Sequence, residues 1–268
     1  MTDVSGLLAA YDAQVRDRVP DPLPDGVTVE RDGPILRFFG LFGSGGGGFV
    51  CYRDLDGLTD DGVDDLIARQ VRAYTERGER FEWKLHRHDR PPDLAQRLRV
   101  AGFVPDDEET VVIAPVSEVA GAPVPPDGVS LREVSERGDL ERIAALERAV
   151  WGEAHSSLPD ALEAERAADP DALAIVVAEA GAEVVCAGWV RFERGTDFAT
   201  LWGGATLPAW RGRGIYRATV AYRANLAAER GCRFIEVDAS SASRPILERL
   251  GFVAVTTTTP FIWSPPSS

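Results

Sequence analysis

Arg211, Gly212, Arg213, Gly214 and Ile215 lie between an apolar run, Thr200 to Leu207, and a long amphipathic stretch. A strand that hands over to a helix through such a loop makes an anion site. Glycines let backbone amides approach an oxyanion closely, and the first helical turn adds unpaired donors and the positive end of its dipole. A phosphate ester is the fitting guest. Arg211, Arg213 and Arg217 gather positive charge there in a chain whose formal net charge is -14, so the loop runs against the global field.

At 268 residues, 44% of them hydrophobic, the chain has material for one large domain or two of ordinary size. No apolar stretch approaches the roughly 20 residues of a membrane helix, and Met1 to Tyr11 lacks the basic start and apolar run of a signal peptide. These features predict a cytoplasmic protein. Cys51, Cys186 and Cys232 are odd in number and far apart, which argues for reduced thiols over a disulfide framework or a four-ligand zinc site. With 43 acidic residues against 29 Lys and Arg, nucleic acid is a poor partner and a cationic substrate an acceptable one. His86, His88 and Asp89 have metal-like spacing, yet they read as surface residues of a loop with no further ligands nearby in sequence, and no metal is expected. The glycine run Gly43 to Gly48, with Ser44 inside it, precedes Phe49, Val50 and Cys51 where a nucleotide-binding loop places Lys and Ser or Thr. It reads as a hairpin tip.

The chain repeats itself. Glu76, Arg77, Gly78, then Arg80 and Phe81 recur as Glu229, Arg230, Gly231, then Arg233 and Phe234. Each block leads into a short extended segment and a helix begun by proline, Pro91 to Ala101 or Pro245 to Leu250, which stops at Gly102 and Phe103 or Gly251 and Phe252. Proline in the first turn and glycine past the last is the expected grammar of helix ends. Two related units follow from this: residues 1–115, without an Arg and Gly loop before their long helix (Asp56 to Gly78), and residues 128–268, joined by a linker at 116–127.

In the second unit the pattern gives a strand at 129–134, helices at 140–151 and 159–168, and strands at 173–179, 183–192 and 198–207. The helix at 215–230 sets Ala218, Tyr222 and Leu226 along one face, and strand 233–238, helix 245–250 and strand 252–263 complete the unit. The predicted class is α/β (α+β): two units, each a mixed central β-sheet flanked by helices.

These residues resemble the GNAT superfamily of acyl-CoA-dependent N-acyltransferases, in full from Val129 to Trp263 and as a degenerate half from Gly26 to Pro115. The family loop, Arg or Gln, two residues, Gly, one residue, Gly or Ala, stands here as Arg211, Gly212, Arg213, Gly214, Ile215, Tyr216. Thr206 to Trp210 resemble the strand end before it, and Leu250, Gly251 and Phe252 the exit of the family's fourth helix. Tyr216 departs from the pattern, so either its ring turns outward or the cofactor sits differently.

The resemblance implies acetyl-CoA as cofactor, its pyrophosphate on the amides of Arg213, Gly214, Ile215 and Tyr216, and its pantetheine arm along Ala205, Thr206 and Leu207. A backbone N–H there would stabilise the oxyanion formed when an amine attacks the thioester, worth about 3 kcal/mol per donor. The family's glutamate on the strand before the loop is absent from Phe198 to Trp202, and Leu247 stands where many members have the tyrosine that protonates the thiolate. Asp238, Ser240 and Ser243, with Glu236 behind them, are the remaining candidates for proton handling, Asp238 as base or amine-binding group. Ser243 serves equally as the cap before Pro245, and Asp238 as a strand-end carboxylate. Trp202, Trp210 and Trp263 read as packing residues. The expected activity is acetyl transfer from acetyl-CoA to a primary amine, on a small molecule or peptide. The alternative is a non-catalytic acyl-CoA-binding sensor or scaffold that kept the loop and lost its proton-transfer groups.

Overall fold

The computed structural model describes residues 3–41, 47–152 and 157–266. Gly43 to Gly46 of the expected hairpin tip lie outside the described residues. In chain order the elements are α1 (Val4–Gln14), β1 (Thr28–Asp32), β2 (Ile35–Phe39), β3 (Gly47–Cys51), α2 (Asp60–Arg77), β4 (Arg80–His86), α3 (Leu94–Val100), β5 (Val104–Pro105), β6 (Glu109–Pro115) and α4 (Val116–Val119). They continue with β7 (Val129–Val134), α5 (Arg137–Trp151), α6 (Leu158–Ala168), β8 (Leu173–Ala180), β9 (Glu183–Phe192), β10 (Phe198–Thr206), α7 (Ile215–Glu229), β11 (Phe234–Ala239), α8 (Arg244–Arg249) and β12 (Val253–Trp263). None of these helices is long and apolar enough to cross a membrane.

The chain forms two compact units, one of Met1–Val19, Gly26–Val111 and Ala254–Ser268, the other of Pro20–Asp25 and Val112–Val253. This division departs from boundaries at 115 and 128. Residues 112–115 go to the second unit, and the last strand returns to the first, where Thr258 to Trp263 pair antiparallel with His86 to Phe81 of β4. Alternating apolar residues announce a strand but not its partner. Here Trp263 and Phe261 complete a core with Phe81, Trp83 and Phe103, and the Phe81 and Trp263 rings lie 5.7 Å apart.

In the first unit the sheet runs β1, β2, β3, β4, β12, with β3 and β4 parallel. The helix α2 begins at Asp60, four residues later than its pattern suggests, because Thr59 caps it: its side chain accepts the Gly62 N–H at 3.1 Å. α1 is an element the sequence pattern does not disclose. Asp3 caps it, and it buries Leu7 and Tyr11. His86, expected at the surface, is buried. Tyr11 Oη and His86 Nε2 are 3.1 Å apart, and burial with the nearby Arg16 charge holds the imidazole well below its ordinary pKa, hence neutral. Asp89 lies beside it, taking Arg16 at 2.7 Å, the Tyr52 hydroxyl at 2.7 Å and the His86 amide at 2.9 Å.

In the second unit the order is β6, β11, β10, β9, β8, β7; β10 and β11 are parallel, while β7, β8, β9 and β10 pair antiparallel in turn. α5 and α6 pack over a cluster that includes Ile143, Leu146, Leu162, Ile175 and Trp189. α7 buries Ile215, Ala218, Thr219, Arg223 and Leu226, and Tyr222 lies off this face, its hydroxyl 3.4 Å from Glu133. The expected linker is helical at its start: Val116 and Val119 are buried in α4, and Asn225 brackets Gly121, accepting its N–H and donating to its C=O at 2.9 Å each.

Candidate active site

The parallel ladder between β10 and β11 runs from Phe198 opposite Phe234 to Thr200 opposite Glu236 and ends there, although β10 continues to Thr206 and β11 to Ala239. The sheet parts at this point. On its other side β10 stays paired with β9, but one extra residue enters at Gly204, between the pairs Gly203 with Gly188 and Ala205 with Ala187. Gly203 and Gly204 both have positive φ, +71° and +92°, so the bulge needs residues without a Cβ. A Cβ at Gly204 would also stand 2.7 Å from the Tyr216 ring. The tyrosine that departs from the loop pattern therefore turns inward onto the bulge and leaves the mouth of α7 clear.

Past the bulge, Leu207 donates its N–H to Val185 O at 3.0 Å. Antiparallel alternation then aims the N–H and C=O of Thr206 at the parted edge. That carbonyl accepts from Arg211 Nε at 3.0 Å, which ties the loop to the strand end. So of Ala205, Thr206 and Leu207, the amide of Leu207 is already committed to β9, and Thr206 offers its N–H.

At the mouth of α7 the cap position is Gly214, left-handed at φ +85°, with no side chain to satisfy the first amides. A Cβ at Gly214 would meet only Arg217 Nη2, at 3.8 Å, and one at Gly212 would meet nothing. Arg213 lies over Trp210, 4.7 Å from the ring centroid. Arg211, Arg213 and Arg217 are exposed, and among the described residues none of them pairs with a carboxylate. Unmet amides, open space and unpaired cations fit the diphosphate of coenzyme A.

The expected catalytic side chains sit on the other lip. Asp238 is half-buried on β11, beyond the last ladder pair. Ser240 and Ser243 close on each other in the turn before α8, their Oγ atoms 3.2 Å apart, with the Ser243 hydroxyl 3.3 Å from Ser240 O. Burial is nearly complete at Glu236.

Two residues escape the sequence reading. Arg223 is buried on α7, donating from Nη1 to Trp189 O at 3.1 Å and Trp202 O at 3.0 Å, the carbonyls just before the bulge. Glu147 is buried on α5 with Oε1 unbonded, and burial alone pushes its carboxyl up to about 7. A signal for it exists in the chain: Leu140, Ile143, Ala144 and Glu147 follow the i, i+3, i+4, i+7 stripe, a charge at a core-facing position.

An uncapped helix mouth opening on a parted sheet offers backbone donors to a phosphate ester. Residues 140–252 match the model of the acetyltransferase (GNAT) family. Nearly the whole chain aligns with a GCN5-related N-acetyltransferase from Kribbella flavida at a TM-score of 0.67 and 15% identity, over 99% of this chain and 95% of that one. A tandem GNAT protein from the clavulanic acid biosynthesis pathway aligns at 0.65 and 15%, over 99% and 96%, and a GCN5-related N-acetyltransferase from Sphaerobacter thermophilus at 0.61 and 13%, over 88% and 78%. No curated protein matches the chain. Residues 140–252 thus match an acetyltransferase (GNAT) family model, and the chain as a whole shares the fold of the N-acetyltransferases and the tandem GNAT protein it aligns with.

Proposed function

We propose that the C-terminal unit transfers an acetyl group from acetyl-CoA to a primary amine by direct attack. The observation that carries this reading is the uncapped, arginine-flanked mouth of α7 beside the parting of β10 and β11. Coenzyme A supplies the acetyl group as a thioester whose thiol, with a pKa near 8.5, is a tolerable leaving group at neutral pH. The amides of Arg213 to Tyr216 hold the diphosphate. Thr206 N–H faces the parting, in the place to pair with the pantetheine arm or to meet the carbonyl oxygen as it gains charge. An alkylammonium with a pKa of about 10.4 must lose a proton before it attacks, so a carboxylate at the parting is needed, and Asp238 stands on its β11 lip.

A second reading, a non-catalytic acyl-CoA-binding sensor or scaffold, draws on the pair Ser240 and Ser243, whose hydroxyls are turned on each other, and on Leu247 at the position of the family's tyrosine. Thiol release from acetyl-CoA in the presence of polyamines, aminoglycosides, amino acids and peptides separates the two. Binding with amine-stimulated release supports the transferase, binding with no release by any amine supports the sensor, and no binding sinks both.

A further inference from the structure

Glu147 has an exposure of 3%, and its Oε1 has no hydrogen-bond partner. A carboxylate this deep and this alone is expensive to keep, since nothing offsets its desolvation. Its place in the fold gives a reason for it. β7 ends at Val134, opposite Ile175, which the antiparallel register sets level with Trp189 and Trp202. α5 starts three residues later and packs back over β9 and β10. At about 1.5 Å per residue, Glu147 stands roughly 15 Å beyond Arg137, about the rise that carries β10 from Trp202 to Thr206. The field of Glu147 accordingly reaches the Cys186 thiol, and Cys186 is the partner of Thr206. Glu147 is thus level with the end of β10, where the sheet is parted.

The face matters as much as the height. Cys186 packs with Ile215 of α7, whereas its neighbour Ala187 packs in the cluster under α5, so α5 and α7 cover opposite faces. A thioester whose diphosphate rests at the mouth of α7 enters the parting from the α7 side, and the face under α5 is left to the second substrate. A second unmet polar atom lies there. Trp189 Nε1 is buried without a partner, and its ring covers the bulge, 2.5 Å from where a Cβ of Gly203 would be.

We infer that Glu147 is a catalytic residue on the acceptor side that takes the proton of the amine's ammonium group, which leaves Asp238 the amine-binding role. This rests on the transferase reading above. The carboxylate accepts a proton from R–NH3+, the free amine forms a C–N bond to the acetyl carbon, and the C–S bond breaks to release the thiolate. The second nitrogen proton goes to that thiolate, giving the amide and the free thiol, and Glu147 returns its proton to water. Among the described residues no charged group shifts the Glu147 carboxyl, and burial is the cause at work. On β9 Cys186 lies on the α7 side and Arg191 is paired with Glu165 of α6, β10 carries no titratable side chain, and on α6 Asp160 and Glu163 are held by Arg137.

The test compares wild type with Glu147→Gln and Glu147→Asp, using acetyl-CoA with spermidine, lysine methyl ester and hydroxylamine; the last is weakly basic and largely unprotonated at neutral pH. Calorimetry should show equal acetyl-CoA affinity in all three proteins. Glu147→Gln should lower kcat/KM for the two strongly basic amines by roughly 100-fold. It should also abolish the rising limb of the pH profile near 7 and lower the hydroxylamine rate far less, while Glu147→Asp keeps the limb at a reduced rate. Equal losses for all three amines, or an unchanged profile in Glu147→Gln, would overturn the inference. Turnover of none of these amines by the wild type also overturns it while leaving acetyl-CoA binding intact, and absence of acetyl-CoA binding in the wild type overturns the transferase reading itself.

Discussion

The crossover from β3 through α2 to β4 and the one from β10 through α7 to β11 have the same course, a strand, a helix and a parallel strand, and differ in the first turn of the helix. At α2, Thr59 satisfies an amide and Asp60 and Asp61 follow. At α7, Gly214 satisfies none, no acid lies in the first turn, and Arg213 and Arg217 flank it. Both helices have the same dipole, so the dipole alone does not make an anion site. What α7 has and α2 lacks is unspent donors without negative charge beside them.

The parallel strands diverge similarly. In the first unit the ladder stops at Val50 opposite Trp83, and the side chains past it bond one another in a chain, with Arg16 Nε and His86 Nδ1 left over: Trp83 Nε1 donates to Tyr52 Oη at 3.1 Å, Tyr52 to Asp89, and Asp89 holds Arg16. In the second unit Glu147 Oε1 and Trp189 Nε1, level with the parting, are unmet. Arg16 and His86 are each bonded through another nitrogen, whereas Trp189 has no other side-chain donor and burial alone acts on the Glu147 carboxyl.

The sharpest way to break this contrast is Gly214→Glu, which puts a carboxylate into the mouth of α7 at φ +85°. Acetyl-CoA affinity should fall at least 100-fold, about 3 kcal/mol, by calorimetry. An unchanged titration would place the cofactor elsewhere. Next in size is Arg16→Met in the first unit. It leaves Asp89 buried without its cation, which should cost about 3 kcal/mol in urea unfolding, with acetyl-CoA affinity unaltered. A loss of affinity instead would mean that the first unit also takes part in binding.

Much of this contrast can be read from residue types. The Arg and Gly loop, the repeated helix stops at Gly78 and Gly231, and the missing loop before α2 are local patterns, and local patterns survive folding. The partner of β12, the capping by Thr59 at the late start of α2 and the burial of His86 depend on contacts distant in sequence. Arg223 and Glu147 share a further difficulty. Charged residues on helices are usually solvated, so a reading by residue type sends them outward, and only their place in the apolar stripe argues otherwise.

Glu147 gives a prediction of intermediate size through its titration. Its folded carboxyl titrates at about 7 against an ordinary 4.5, so the fold favours the protonated form. That contribution is complete below pH 4.5 and is lost as pH rises through 7. Glutamine imitates the protonated state. Urea midpoints should therefore differ little between wild type and Glu147→Gln at pH 5, and favour the variant by on the order of 2 kcal/mol at pH 8. A pH-independent difference would show that Glu147 is charged or solvated throughout.

The smallest effect tests the cap itself. Thr59→Ala removes the hydroxyl that takes the Gly62 N–H and should lower stability by about 1 kcal/mol, leaving acetyl-CoA titrations unchanged. Gly214→Ala is its counterpart. It forces a Cβ into the left-handed region, at a strain of about 1 kcal/mol, yet adds nothing closer than Arg217 Nη2 at 3.8 Å. Any weakening of acetyl-CoA binding then comes from backbone relaxation at the helix mouth, since the space above it stays open. If Thr59→Ala weakens acetyl-CoA binding as Gly214→Ala does, the two mouths are alike in function and the capping difference has no meaning. If Thr59→Ala affects stability alone, a spent donor and an unspent one have been told apart within a single chain.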